Sequence, residues 1–166
     1  MDIKTRIALI SMNSEMGDPD ANLKKIADWM QEAHSKGATF AIFNEESITG
    51  SMNKSDLSFS EADRIAKYAS KITKSFLEPV CSDLNMTVIV GSIEPAGDRF
   101  LNSALTIGPG GYLNTYSKLH LPNENEKKWF SLGPSLPVVR SQGWTFGVGI
   151  CFDVRFPEIF RAAALN

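Results

Sequence analysis

A thiol, a carboxylate and an amine each follow a strand-like run in this chain, and together they could attack a carbonyl carbon. Cys151 follows the apolar segment 147–150 and precedes a turn into a helix, Glu45 follows the apolar run 41–43, and Lys118 follows the strand-like run 112–117. A thiol with a reference pKa of about 8.5 is mostly protonated at neutral pH and needs a base or a cation nearby to become nucleophilic. The three residues therefore supply the groups that nucleophilic catalysis requires.

Composition and charge restrict the partners that such a site would have. The 166 residues are 43% hydrophobic and 22% charged, which is typical of one globular domain with a substantial core. A net charge of -2, a sequence pI near 5.7 and no run of Lys or Arg provide no surface for nucleic acid or anionic lipid. We therefore expect a small-molecule partner, with neither nucleic acid nor membrane.

The termini, the apolar segments and the cysteines point to a reduced, soluble setting. The N-terminus enters a strand without a signal-peptide pattern, and no apolar stretch approaches membrane-spanning length, so we expect a cytoplasmic protein. Cys81 and Cys151 are far apart and have no metal-type spacing. Neither a disulfide, a metal site nor a cofactor is predicted.

Hydrophobic periodicity predicts the order of the elements. Asp18 and Pro19 are typical of a helix N-cap and first helical position. The predicted elements are a buried strand at 4–12, a helix from Pro19 to Gly37, a strand at 38–43 parallel to the first, a surface loop at 47–60 over the mouth of the site, a helix at 60–84 and a central strand at 87–93.

The C-terminal half has the pattern of antiparallel hairpins. Runs 100–107 and 112–118 flank a Gly-Pro-Gly-Gly turn, and runs 138–140 and 144–150 flank Ser141-Gln142-Gly143. The fold class is therefore α/β, a mixed sheet with helices on one face. The strands contain too much Leu, Ile and Val for a solvated opposite face, so we expect a second sheet to pack there.

The motifs around Glu45, Lys118 and Cys151 resemble the Glu-Lys-Cys triad of the nitrilase superfamily of carbon-nitrogen hydrolases. The resemblance implies an αββα sandwich of the nitrilase type, with residues 1–166 as a carbon-nitrogen hydrolase domain. Members of the family continue well past the cysteine, so we expect the sandwich to be incomplete at the C-terminus and this chain to be an N-terminal portion. Such an open edge and apolar face would favour association, and we expect a homo-oligomer.

The resemblance also assigns roles to individual residues. Cys151 is the expected nucleophile, Glu45 the base, and Lys118 with the backbone N–H of Phe152 the stabilisers of the oxyanion. The segment Glu126-Lys127-Lys128-Trp129-Phe130 matches the pattern after the lysine strand and makes Glu126 an additional active-site residue. Glu46 is the alternative to Glu45, Glu124 is the alternative to Glu126, and His120 is assigned a structural role.

The predicted activity is hydrolysis of a non-peptide C–N bond, amide or N-carbamoyl, in a small molecule through a thioester on Cys151. The residues after the nucleophile, Cys151-Phe152-Asp153-Val154-Arg155, resemble the amidase and carbamoylase branches. One alternative is a truncated, non-catalytic relative that acts as a binding or assembly subunit. A weaker alternative is a cysteine peptidase built on Cys151 and His120.

Overall fold

The computed structural model describes residues 5–165. Its elements in chain order are β1 (Ile7–Ile10), α1 (Pro19–Ser35), β2 (Phe40–Phe43), α2 (Phe59–Leu84), β3 (Thr87–Ala96), β4 (Arg99–Gly108), β5 (Gly111–Ser117), α3 (Glu124–Trp129), β6 (Val138–Ser141), β7 (Trp144–Gly147) and α4 (Pro157–Leu165). Short 3-10 turns lie at Met52–Lys54 and Cys151–Arg155.

The strands β1 to β5 form a mixed sheet in the order β1-β2-β3-β4-β5. The first three strands are parallel, whereas β3–β4 and β4–β5 are antiparallel. The predicted parallel pairing of the first two strands and the hairpin pairing of β4 with β5 are therefore confirmed. Strand β3 is central, in agreement with its continuous β-branched sequence.

Helices α1 and α2 cover one face of this sheet, as their apolar stripes predicted. The Asp18 side chain caps α1 by accepting from the Ala21 N–H at 3.0 Å, and Ser58 and Glu61 form a capping box at the start of α2. Between the helices and the sheet lies the main core, which includes Leu23, Ile26, Met30, Ala41, Phe43, Ala69, Leu77, Val88 and Val90.

A two-stranded sheet, β6 and β7, packs on the opposite face. Phe146 of β7 meets Phe40 of β2 edge to face, with ring centroids 5.8 Å apart. Within the described residues 5–165 this hairpin covers only part of the face, and Ile7 and Leu9 of β1 are 53% and 78% exposed. The first strand is confirmed, but the prediction that it is buried is wrong, because the hairpin leaves this face of β1 uncovered and only its other side chains face the helices.

The prediction of a surface loop at 47–60 is also wrong for its first part. Ser47, Ile48 and Thr49 are each 0% exposed, because this segment turns inward against β3 rather than outward into solvent.

Among the helices of residues 5–165, none is long and apolar enough to cross a membrane.

Candidate active site

The ends of β2 and β5 and the first turn of α3 bring an amine between two carboxylates. Lys118 directly follows β5, and its Nζ lies 2.8 Å from Glu45 Oε1 and 2.9 Å from Glu126 Oε2. The lysine side chain is 0% exposed. Burial alone would lower the pKa of Lys118, but the hydrogen bonds to both glutamates overcome this effect and its pKa is raised. The amine is therefore a buried cation at neutral pH.

Glu45 is held by two donors that share one of its oxygens. Its Oε1 accepts from Lys118 and, at 2.7 Å, from the side-chain nitrogen of Asn102, a buried residue of β4. The backbone N–H of Lys118 donates in turn to the Asn102 carbonyl at 2.8 Å. Both side-chain bonds end on Oε1, so neither donor bonds the second oxygen of Glu45. The sequence offered no signal for Asn102, which lies within an ordinary strand pattern.

Cys151 lies beside this cluster and is exposed. Partial burial raises the pKa of its thiol, the negative charge of Glu45 raises it further, and the charge of Lys118 opposes this rise. A hydrogen bond to Glu45 also raises the pKa. At neutral pH the site therefore holds a protonated thiol beside a carboxylate, the arrangement in which a base can take the proton during attack.

The backbone at Cys151 adopts the left-handed conformation, with φ at 47°. A residue with a side chain is uncommon there and costs of order 1–3 kcal/mol unless surrounding contacts fix it. Cys151 opens the 3-10 turn Cys151–Arg155 that leads into α4. This strained turn presents the thiol outside the end of the sheet.

Glu126 rather than Glu124 reaches the lysine. Asn123 caps α3 by accepting from the Glu126 N–H at 3.0 Å, which sets the orientation of that first turn. Glu124 is exposed and pairs with Lys127 on the same helix. The side chain of Glu126 is 12% exposed, so its contact with Lys118 is mostly shielded from solvent.

Glu46 has a different environment from its neighbour Glu45. It is 4% exposed and adopts a left-handed backbone with φ at 57°. Its Oε1 lies 3.4 Å from the same Asn102 nitrogen that bonds Glu45. Burial raises the pKa of Glu46 to about 7, a hydrogen bond from Ser51 opposes the rise, and the nearby charge of Glu45 adds to it. Glu46 therefore shares a polar contact with the cluster but does not contact Lys118.

A glycine lets the segment after β2 approach the central strand. A Cβ on Gly91 of β3 would lie 2.3 Å from the Glu46 nitrogen and 2.8 Å from the Asn44 carbonyl oxygen. Without it, Gly91 donates to Ser47 Oγ at 3.0 Å and accepts from the Ile48 N–H at 2.9 Å. The sequence carried a signal for this contact, because glycine inside a β-branched run often marks close backbone approach.

Phe152 and His120, which were also singled out from the sequence, belong to or contact the turn that begins at Cys151. Phe152 follows Cys151 in the same turn, and its ring packs edge-on against Phe156 with centroids 5.5 Å apart. The ring of His120 stacks on the same Phe156, with ring centroids 3.6 Å apart. Its Nδ1 lies 3.0 Å from Asp153 Oδ1. The imidazole is thus engaged with a carboxylate and a ring.

A small cavity opens at this end of the sheet. Its volume is about 200 Å³, and its walls combine apolar side chains with Glu45 and Cys151. The lining includes Ile42, Ile89, Ala104, Ile150, Glu45 and Cys151. A cavity of this size and lining could hold a small neutral molecule with an electrophilic carbon beside the thiol.

Comparisons with known proteins identify relatives of this chain. The sequence pattern of the carbon-nitrogen hydrolase family matches residues 6–166. A nitrilase of Pyrococcus abyssi is 33% identical over 97% of this chain, and the match covers 61% of the nitrilase. A chloroplastic omega-amidase of Arabidopsis thaliana is 30% identical over 88% of this chain and 42% of its own length. The chain thus spans less than two thirds of the length of these relatives.

Solved structures resemble the fold closely. A mutant of the amidase from Nesterenkonia sp. AN1, with acrylamide joined to its active-site cysteine by Michael addition, superposes with a TM-score of 0.84. It is 26% identical, and the match covers 97% of this chain and 63% of that amidase. The central mixed sheet flanked by helices is the fold of these nitrilase-type amidases. By its sequence and its fold, this chain belongs to the carbon-nitrogen hydrolase family, within the nitrilase superfamily.

Proposed function

We propose that this chain hydrolyses a non-peptide C–N bond, amide or N-carbamoyl, in a small molecule, with Cys151 as nucleophile and Glu45 and Lys118 as its catalytic partners. The observation that carries the proposal is the buried Lys118, held between Glu45 and Glu126 at 2.8 and 2.9 Å beside an exposed thiol. Burying a charged lysine is costly unless it is paired. A functional role explains why three ionisable side chains converge next to a nucleophile.

The first half of the reaction forms a thioester. Glu45 takes the thiol proton as the Cys151 sulfur attacks the carbonyl carbon, and the carbonyl oxygen becomes an oxyanion that accepts from Lys118 Nζ and the N–H of Phe152. The C–N bond then breaks, and the leaving nitrogen takes the proton from Glu45. The raised pKa of Cys151 favours this concerted base catalysis over attack by a preformed thiolate.

The second half returns the free enzyme. Glu45 takes a proton from water, the resulting oxygen attacks the thioester carbon, and the sulfur leaves and recovers its proton from Glu45. Glu126 keeps Lys118 charged and oriented during both halves, and we propose that it also contacts the substrate nitrogen. The family relatives, which include a nitrilase and an omega-amidase, support C–N hydrolysis as the reaction class.

Ammonia release from butyramide tests the proposal directly, because it measures cleavage of the C–N bond. We expect Cys151→Ala to abolish release and Cys81→Ala to leave it nearly intact. Cys81 lies in α2, is 0% exposed and has a pKa raised by burial to about 12, so it is the matched control for general thiol loss. Lys118→Met should lower kcat about 10²–10³-fold, as loss of one oxyanion donor does.

Mass spectrometry of the protein during turnover provides a second measurement. A thioester should add the butyryl mass to the peptide that contains Cys151 and to no peptide that contains Cys81. Equal losses of activity from the two cysteine variants would refute the assignment. Absence of both ammonia and adduct across a panel of small amides and N-carbamoyl compounds would favour the non-catalytic alternative.

A further inference from the structure

Among the described residues, Asp153 accepts more hydrogen bonds than any other acidic side chain, although it takes no part in the proposed reaction. Asp153 is 0% exposed and accepts four hydrogen bonds. The Tyr116 hydroxyl donates to Oδ2 at 2.6 Å and the Ile150 N–H donates to Oδ2 at 3.0 Å. The backbone N–H and Nδ1 of His120 both approach Oδ1 at 3.0 Å. Because an ionised carboxylate only accepts, Nδ1 carries the proton in this contact.

The donors come from the chain segments that present the lysine and the thiol. Tyr116 and His120 lie two residues before and two residues after Lys118, and Ile150 directly precedes Cys151. Burial raises the pKa of the Tyr116 hydroxyl, and the hydrogen bond to Asp153 raises it further, so this donor keeps its proton. One carboxylate therefore joins the end of β5 to the turn that carries the nucleophile.

Asp153 also closes the turn around the strained residue. Its backbone N–H donates to the Ile150 carbonyl at 3.0 Å, while its side chain accepts from the Ile150 N–H. Cys151, with its left-handed φ of 47°, lies between these bonded residues. Such a conformation persists only where the surrounding structure fixes it. Phe156 donates its N–H to the Asp153 carbonyl at 3.0 Å and completes the turn.

We propose that Asp153 is a positioning residue that fixes the thiol of Cys151 relative to the Lys118–Glu45 pair. The inference rests on the proposed function, in which this distance sets the rate of attack. Loss of the bonds would let the turn relax away from β5, and a misplacement of about 1 Å can cost about 100-fold in rate. A purely structural role for Asp153 would lower stability without separating the thiol from Glu45.

The test measures how strongly Glu45 affects the pKa of the Cys151 thiol, and it needs no substrate. In a Cys81→Ala background, the pH dependence of alkylation by iodoacetamide reports the pKa of Cys151. Glu45→Gln should lower that pKa, because the Glu45 charge raises it. We expect this effect to disappear in Asp153→Asn. In that variant an NH₂ group, which only donates, replaces one of the two carboxylate oxygens that accept the four hydrogen bonds. Urea unfolding of each variant identifies the pH range in which it is folded.

Two tyrosines of β5 provide a matched pair should Asp153→Asn fail to fold. Tyr116→Phe removes one hydroxyl bond to Asp153, and Tyr112→Phe removes an exposed hydroxyl bond of 3.1 Å to Thr115. We expect the Glu45→Gln effect on the Cys151 pKa to be reduced with Tyr116→Phe and unchanged with Tyr112→Phe. Butyramide hydrolysis should show lower kcat with unchanged KM for Tyr116→Phe alone.

The outcomes separate the two proposals. An equal Glu45→Gln effect in wild type, Tyr116→Phe and Asp153→Asn would overturn the positioning role and leave the proposed function intact. A Glu45→Gln effect that is absent already in the wild type would overturn the proposed function, and with it the positioning role. A Glu45→Gln effect that is smaller with Tyr116→Phe but unchanged with Tyr112→Phe would support both.

Discussion

Glu46→Gln should change how the free energy of unfolding depends on pH. Glu46 is 4% exposed, and burial raises its pKa to about 7 from the ordinary value of 4.5. Between these two values the folded chain holds a proton that the unfolded chain has released. Stability therefore falls as pH rises through this window and levels off above about 7. Glutamine keeps the shape of the protonated acid and removes the titration.

The magnitude follows from the two pKa values. The difference between 4.5 and about 7, at 1.36 kcal/mol for each pKa unit, corresponds to about 3 kcal/mol. The free energy of unfolding of the wild type should fall by about this amount between pH 4.5 and 8, relative to Glu46→Gln. At pH 8 the variant should be the more stable protein, because it need not bury a carboxylate beside Glu45.

Urea unfolding at intervals from pH 4.5 to 8 measures both curves, and their difference isolates Glu46 from the other titrating groups. An unchanged m-value would show that both proteins unfold from equally compact states. Glu124→Gln is a control whose difference curve should be flat over this pH range. Lys127 holds the pKa of Glu124 below its ordinary value, so that contribution is present above this value and is lost as pH falls.

A difference curve for Glu46→Gln that is flat between pH 4.5 and 8 would refute the reasoning. It would mean that the folded chain ionises Glu46 as readily as the unfolded chain does. A curve that rises with pH would show that the hydrogen bonds from Ser51 and Asn102 outweigh burial.

Lys118→Met should raise the pKa of Cys151 and Glu45→Gln should lower it, because the lysine charge lowers this pKa and the glutamate charge raises it. The pH dependence of thiolate ultraviolet absorbance measures both shifts. Shifts of the same sign would contradict the site geometry. Gly91→Ala should destabilise the fold by about 1–3 kcal/mol in urea, since its Cβ would lie 2.3 Å from a backbone nitrogen. Gly110→Ala, where a Cβ meets nothing within 4 Å, is the control, and equal effects would contradict the packing argument.

Local sequence signals predicted most elements of the fold. The Asp18-Pro19 start of α1, the glycine-rich turn between β4 and β5, and the apolar stripe of α2 each depend on neighbours within a few residues along the chain. The same holds for the positions of Glu45 and Lys118 after their strands, which the chain order reveals without any tertiary information. The prediction that β1 is buried is wrong because side-chain burial depends on what covers each face of the sheet.

Only the tertiary structure decided how the candidate site is assembled. Lys118 and Glu45 are 73 residues apart, and Asn102 and Glu45 are 57 apart, so no local pattern could pair them. The raised pKa of Glu46 depends on burial, which depends in turn on the close approach at Gly91. The four donors around Asp153 come from two separate segments that meet only when the sheet is formed. Sequence determines which chemical groups end the strands, whereas distances, partners and proton affinities depend on contacts between segments far apart in the chain.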